Sequence, residues 1–127
     1  MILLDTNALI WLLRDEPDLG DEARDLISTH HPVYYSAVSV QEMTIKKMKG
    51  RLQVPPHVSR FLDAQHLRQM PFTAEHAEGM EWFPELASHD PFDRAILAQA
   101  KVESLKLVTS DRVLLGLGQT WIVDAQK

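Results

Sequence analysis

Ile2-Leu3-Leu4-Asp5-Thr6-Asn7-Ala8-Leu9-Ile10-Trp11-Leu12-Leu13 opens as a short apolar run, breaks at three polar residues and resumes as a longer apolar stretch. Asp5-Thr6-Asn7 suits a helix start, so the segment reads as a buried strand feeding a helix. The same unit recurs along the chain. Asp21 to Thr29 carries Ala23, Leu26 and Ile27 at helical spacing, and Pro32-Val33-Tyr34-Tyr35-Ser36 reads as a second strand. Ser39 opens a helix that runs to Lys49 and stops at Gly50. Pro55-Pro56 starts another, with Val58, Phe61 and Leu62 on its buried stripe. Leu67 to Phe72 reads as a short strand, Thr73 to Phe83 as a helix and Pro84 to His89 as a loop. Asp90-Pro91 begins a long apolar helix, Phe92 to Glu103, whose Ala95, Ala98 and Ala100 permit close packing on a neighbour. Lys106 to Thr109 is the next strand, Asp111 starts a short helix, and Thr120 to Val123 is a last strand. Apolar strands alternating with helices predict an α/β sandwich around a mostly parallel sheet flanked by helices. In such a sheet the loops leaving the carboxyl ends of the strands gather on one edge, where ligands bind.

Composition bounds the function. A chain of 127 residues with 45% hydrophobic content reads as one domain over residues 1–127, able to bury a core of its own. No apolar run reaches the length of a bilayer, and Asp5 directly after Met-Ile-Leu-Leu does not suit a secretory leader, which predicts a soluble cytoplasmic protein without a membrane partner. The absence of cysteine excludes disulfides, zinc ribbons and thiol catalysis and leaves oxygen and histidine as metal ligands. A net charge of -5, from 13 Lys and Arg against 18 Asp and Glu, argues at first sight against a polyanionic partner.

Four acids qualify that inference. Asp5 follows the first strand, Asp111 follows a later one, and Glu42 and Asp93 sit in the first turns of two helices. With a parallel sheet all four belong to one edge. Carboxylates that converge without enough Lys or Arg between them must take up protons or a cation. Magnesium or manganese accepts such oxygens and leaves positions open for a phosphate and a water. Taken singly, each acid also has a capping reading: Ser39-Val40-Gln41-Glu42 has the form of a capping box, Asp90-Pro91-Phe92-Asp93 nearly so, and Asp111 suits a cap. Asp5 is the exception, because it closes an apolar strand where Thr6 or Asn7 would be the more natural cap.

With those residues in hand, the chain resembles the PIN-domain ribonucleases, and more closely the VapC-type toxins of bacterial toxin-antitoxin pairs. The matching segments are Leu3 to Trp11, Ser39 to Lys46, Asp90-Pro91-Phe92-Asp93-Arg94 with Ala98-Gln99-Ala100, and Val108 to Asp111. The resemblance implies a PIN-like three-layer sandwich and a magnesium-dependent endoribonuclease, manganese being the other ion, neutralised by a cognate antitoxin and usually dimeric. The family's acids carry over to Asp5, Glu42, Asp93 and Asp111, with Asp5 and Asp93 as the main metal ligands and Asp90 left as a cap. The family often has a histidine and then a basic residue before this Asp-Pro-Phe-Asp segment, where this chain has Ser88-His89. His89 is therefore one place out of register and reads as a polar loop residue.

The mechanism this implies is metal-assisted in-line hydrolysis of a phosphodiester. Thr6, Asn7 and Ser110 would orient a carboxylate or a ligand water from behind, the rival role of Thr6 and Asn7 being to cap the first helix. Lys46, Lys49 and Arg51 follow Glu42, and Lys46 and Lys49 share its helix face, placing them to meet RNA phosphates; the other reading is a Glu42–Lys46 surface pair on a solvated face. Trp11, Trp82 and Trp121 read as core or interface residues. Any part of the Val58, Phe61, Leu62 stripe left exposed would suit a dimer contact or an antitoxin groove. A haloacid-dehalogenase-like phosphatase would need an aspartate where this chain has Asn7. A response-regulator receiver lacks its phosphoacceptor strand and lysine here. A non-catalytic PIN fold that only binds RNA or protein is the remaining alternative.

Overall fold

The computed structural model describes residues Met1–Lys127. Its centre is a sheet of five strands in the order β3-β2-β1-β4-β5, every neighbouring pair parallel. The strands are β1 (Ile2–Leu4), β2 (Val33–Ser36), β3 (Arg68–Met70), β4 (Lys106–Thr109) and β5 (Ile122–Asp124). The helices are α1 (Thr6–Leu13), α2 (Asp21–Thr29), α3 (Ala37–Met48), α4 (Val58–Ala64), α5 (Ala74–Glu78), α6 (Pro91–Val102) and α7 (Arg112–Leu115).

Strand side chains alternate between two faces, and both faces are covered. Ile2, Leu4, Tyr35 and Val108 pack with Ala8 and Leu9 of α1, Ala23 of α2 and Leu62 of α4. Leu3, Leu107 and Ile122 point the other way, onto Ile96, Leu97 and Ala100 of α6 and Leu114 of α7. The result is the expected three layers. Strand β1 is central, flanked in register by Tyr35 and Val108 on either side of Leu4. The chain winds outward in one direction through β2 and β3 and in the other through β4 and β5, so the order reverses beside β1. Such a reversal opens a crevice at the carboxyl ends of the strands.

Several element boundaries differ from those read in the sequence. Helix α3 starts at Ala37, not Ser39, because β2 runs straight into it: Ser36 closes the strand and its hydroxyl accepts from the Val38 amide at 2.9 Å. Helix α4 starts at Val58 rather than at the proline pair, with His57 in the left-handed region at φ 51°. The stretch from Thr73 splits into α5 and a tighter 3-10 turn, Gly79–Trp82, while Pro84–Leu86 forms a second 3-10 turn where a loop is expected. Strand β5 lies about two residues later than Thr120 to Val123. Gly50 does take the left-handed conformation, φ 69°, just past the end of α3. Trp82 is no core residue: its ring is exposed, with Lys101 Nζ 5.6 Å from the ring centroid. No helix is long and apolar enough to cross a membrane.

Candidate active site

The parallel pairing that puts Leu4 opposite Val108 puts Asp5, the next residue, beside Thr109. Asp5 is 4% exposed and accepts three hydrogen bonds. Its Oδ1 accepts from the Ala8 amide at 2.7 Å, and its Oδ2 accepts from the Thr109 hydroxyl at 2.7 Å and the Ser110 amide at 3.2 Å. Asp5 is therefore the cap of α1, a role the sequence assigned to Thr6 or Asn7; the correction follows from β1 ending at Leu4, which makes Asp5 the last extended residue before the helix. Burial pushes its carboxyl above the usual range and Glu42 adds to the rise, against the three hydrogen bonds.

Released from capping, Thr6 turns to the neighbouring helix. Its hydroxyl donates to Glu42 Oε1 at 2.8 Å and lies 2.9 Å from the Ser39 hydroxyl, both Thr6 and Ser39 being buried. Lys46 Nζ holds the other Glu42 oxygen, Oε2, at 3.0 Å. Glu42 thus faces α1 and Lys46, and the capping box read from Ser39 to Glu42 does not form, because Ser39 lies inside the helix rather than at its start. Asn7 Nδ2 donates to the Ser110 hydroxyl at 3.3 Å, tying the first turn of α1 to the loop after β4.

The remaining acids are brought in by two caps. Asp90 accepts from the Phe92 and Asp93 amides and starts α6, as the sequence indicates, which places Asp93 in the first turn. Asp111 caps α7 with Oδ1, accepting from the Val113 and Leu114 amides, and its Oδ2 is left for a side chain. That side chain is His89. Its Nε2 lies 2.8 Å from Asp111 Oδ2 and 3.7 Å from Asp93 Oδ2, and one donor atom from each of the three residues falls within 4.8 Å of the others. Register arguments leave His89 outside the site. The structure puts it inside, because the turn Pro84–Leu86, closed by the His89 amide on the Leu86 carbonyl at 2.9 Å, delivers it one turn before Asp93 on the same side of α6.

Crowding shows in the protonation. The Asp93 carboxyl is pushed up to about 8 by burial first, then by the proton it shares with Asp111 and the charges of Asp111, Asp90 and Asp5. For Asp111, burial works upward, but the hydrogen bonds from Asp93 and His89 prevail and hold it below the usual range. Positive charge is scarce: Lys46 is engaged with Glu42, and Arg94 lines a hollow with Met80 and Phe83. Oxygen donors with one imidazole, short of cations and stabilised by a shared proton, form a donor set that fits a divalent ion. His89, Asp93 and Asp111 form the compact group, and the charge of Asp5 also acts on Asp93.

Beside Glu42 opens a groove of about 510 Å³ whose walls include Asn7, Lys46, Lys49, Arg51 and Phe92. The residues expected to meet phosphate thus share one groove with one of the acids. A smaller apolar hollow of about 180 Å³ lies nearby between Ile10, Leu13, Met43, Val54 and Phe61. Within the Val58, Phe61, Leu62 stripe, only Phe61 is exposed, at 39%.

Sequence reasoning misses Thr109 and Ser39 as well as His89. Thr109 accepts from the Asp111 amide at 3.0 Å while donating to Asp5, so one buried hydroxyl spans two of the acids. Its signal was the strand pairing: any residue following Val108 must lie beside Asp5 once β1 and β4 are neighbours.

Comparison with known proteins agrees with this architecture. A family model described as PIN domain matches residues 2–117. No curated protein matches the sequence. Among solved structures, the chain is similar to a toxin-antitoxin complex from Klebsiella pneumoniae, with 22% identity, 97% of this chain and 99% of that chain covered, and a TM-score of 0.64. It is also similar to VapBC2 from Rickettsia felis bound to a DNA fragment from its promoter, with 17% identity, coverage of 97% and 96%, and a TM-score of 0.66. FitAcB from Neisseria gonorrhoeae shares 26% identity over 87% of this chain and 88% of that chain, with a TM-score of 0.59.

Proposed function

This chain belongs to the PIN domain family, and from that premise we propose that it is a metal-dependent endoribonuclease, the toxin of a toxin-antitoxin pair. The observation that carries the reading is the cluster of Asp93, Asp111 and His89 near the ends of β1 and β4, with the charge of Asp5 also acting on Asp93, a crowding that a cation would relieve. Asp93 and Asp111 would hold the ion, with Asp5 and Glu42 adding charge from β1 and α3. Magnesium or manganese is the ion class, and when bound it would neutralise the acids and lower the pKa of a water.

The chain's own residues perform the positioning. Thr109 and the Ser110 amide fix Asp5, and Thr6 with Lys46 fixes both oxygens of Glu42, so neither acid needs to reorganise when substrate arrives. Without a cation, Asp93 keeps its proton and donates it toward Asp111. Lys49 and Arg51 line the groove leading to Glu42 and meet the phosphates of a single-stranded segment, with the target selected by RNA shape. The similarity to a toxin-antitoxin complex from Klebsiella pneumoniae supports a cognate antitoxin as the protein partner; homodimerisation belongs to the same proposal.

Cleavage of a mixed RNA pool by purified protein, with magnesium or manganese and then with chelator, tests the reading. Asp5→Asn should lower the cleavage rate by a factor of about 100 or more, on the scale of losing a preorganised electrostatic group, and should abolish growth inhibition on expression. Growth inhibition that persists in a variant unable to cut RNA would sink the catalytic account in favour of a binding module.

A further inference from the structure

The spacing of the Asp-Pro-Phe-Asp segment gave His89 no role, yet its ring faces two of the acids. We propose that His89 supplies an imidazole nitrogen to the divalent-ion site, together with Asp93 and Asp111, and that this nitrogen makes the site prefer a first-row transition ion over magnesium. The proposal rests on the metal-dependent reading above and deepens it by assigning the ligand set and the class of ion.

Geometry comes first. Ligands on adjacent corners of an octahedron with bonds of about 2.1 Å lie about 3 Å apart. His89 Nε2 and Asp111 Oδ2 are 2.8 Å apart, already at that edge, and His89 Nε2 and Asp93 Oδ2 are 3.7 Å apart, within a small rotation of it. His89 lies just before the Asp90 cap of α6 and Asp93 in its first turn, and their side chains approach to 3.7 Å, while the α7 cap holds Asp111 with Oδ2 left free for His89. The side chains of all three are accessible enough to admit an ion and its waters, at 22%, 27% and 16% exposure.

Chemistry then sets the preference. Magnesium takes oxygen and gives up water reluctantly, whereas imidazole suits transition ions. A site made only of Asp5, Glu42, Asp93 and Asp111 would discriminate weakly between magnesium and manganese. One nitrogen shifts it. Asp5 is held by the Ala8, Thr109 and Ser110 donors, with a lone pair of Oδ1 still free, so it can add charge or a further oxygen to the set. The competing reading is that His89 merely donates to Asp111 and holds it in place.

Manganese alone, with the intact chain and no RNA, separates the two. Pulsed electron paramagnetic resonance of the bound ion should show a coupling to a directly coordinated nitrogen that disappears in both His89→Ala and His89→Gln. Equilibrium titration should show manganese bound more tightly than magnesium, and loss of His89 should weaken manganese at least on the order of tenfold, the loss that follows removal of even an outer partner of a ligand, while leaving magnesium nearly unchanged. His89→Gln keeps a hydrogen-bond donor facing Asp111; if that variant retained the manganese affinity, the positioning role would replace the ligand role. Manganese that binds without nitrogen coupling, yet is lost with Asp93→Asn, would overturn the assignment of His89 and leave an all-oxygen metal site standing. No manganese binding at any accessible concentration would overturn both.

Discussion

Asp93 is the residue whose state reports most directly on the site. Its ordinary carboxyl value is 3.8 and in the fold it rises to about 8, so between those values the folded chain holds a proton that the unfolded chain releases. A folded state that binds more protons loses stability as pH rises. The favourable contribution is thus complete below about pH 4 and disappears as pH climbs through about 8. In chelator, Asp93→Asn should unfold a few degrees above the parent protein at pH 8, with the gap closing toward pH 4, as thermal melts across that range would show. Asparagine can still donate to Asp111, which isolates the effect of charge. A parent protein as stable as the variant at pH 8 would contradict the crowding.

Thr109 belongs to the same scale. Thr109→Val keeps the shape of the side chain but removes the one hydroxyl that joins Asp5 and Asp111, leaving a buried acceptor on Asp5 short of a partner. The expected cost is about 1–3 kcal/mol in denaturant unfolding, with a fall in cleavage beyond what lost folded protein explains. Residues like this explain what the sequence conceals. Asp5 is legible because an acid ending an apolar run is locally anomalous, and Asp93 because its segment has a specific spacing. Thr109 and Ser39 are ordinary residues that matter only through neighbours 104 and 33 positions away. His89 was hidden by register itself, since a one-residue offset changes spacing but a 3-10 turn can restore position.

At the level of elements, the caps decide where chemistry falls. Asp5, Ser36, Asp90 and Asp111 each cap a helix at the edge where the strands end, so capping and site formation, which were rival readings of the acids in the sequence, are the same event for Asp5 and Asp111. Strands β1, β2 and β4 and helix α6 were legible because their apolar residues follow period and length. The segments around Pro55 and Thr73 were not, since short turns there depend on left-handed and 3-10 backbone rather than on pattern. Helix α6 is held to the sheet by a polar clamp: Gln99, fully buried, accepts from the Ser36 hydroxyl at 2.5 Å and donates to the Met70 and Pro71 carbonyls. Gln99→Leu should cost about 1–3 kcal/mol for the partners left unpaired, measurable by urea unfolding. Because Asp93 lies in the first turn of α6 and His89 just before its Asp90 cap, manganese affinity should fall in the same variant; affinity unchanged in the folded fraction would show that α6 is positioned without the clamp.

Across the whole molecule, the net charge of -5 and a nucleic-acid substrate are reconciled by distribution. Asp5, Glu42, Asp93 and Asp111 gather at the carboxyl edge of the sheet, while Lys49 and Arg51 line the groove that adjoins Glu42. If both contact phosphates, replacing them with alanine should flatten the logarithmic salt dependence of RNA binding by about 1.4, at about 0.7 per phosphate for a single strand. Binding in low salt to Asp5→Asn protein, which cannot cut, gives the measurement; an unchanged slope would take the pair off the binding surface.

The bridge from Asp5 through Thr109 to Asp111 also sets a schedule for synthesis. Strand β1 leaves the ribosome among the first residues, but the partner that completes its carboxyl edge is β4, which cannot emerge until Leu107, Val108 and Thr109 have been translated. At ordinary elongation of about 5–20 residues per second, the nascent chain therefore spends seconds with β1 translated and its carboxyl-edge partner not yet made. The Asp5–Thr109–Asp111 connection is thus among the last parts of the fold that can form, because it waits on the end of β4.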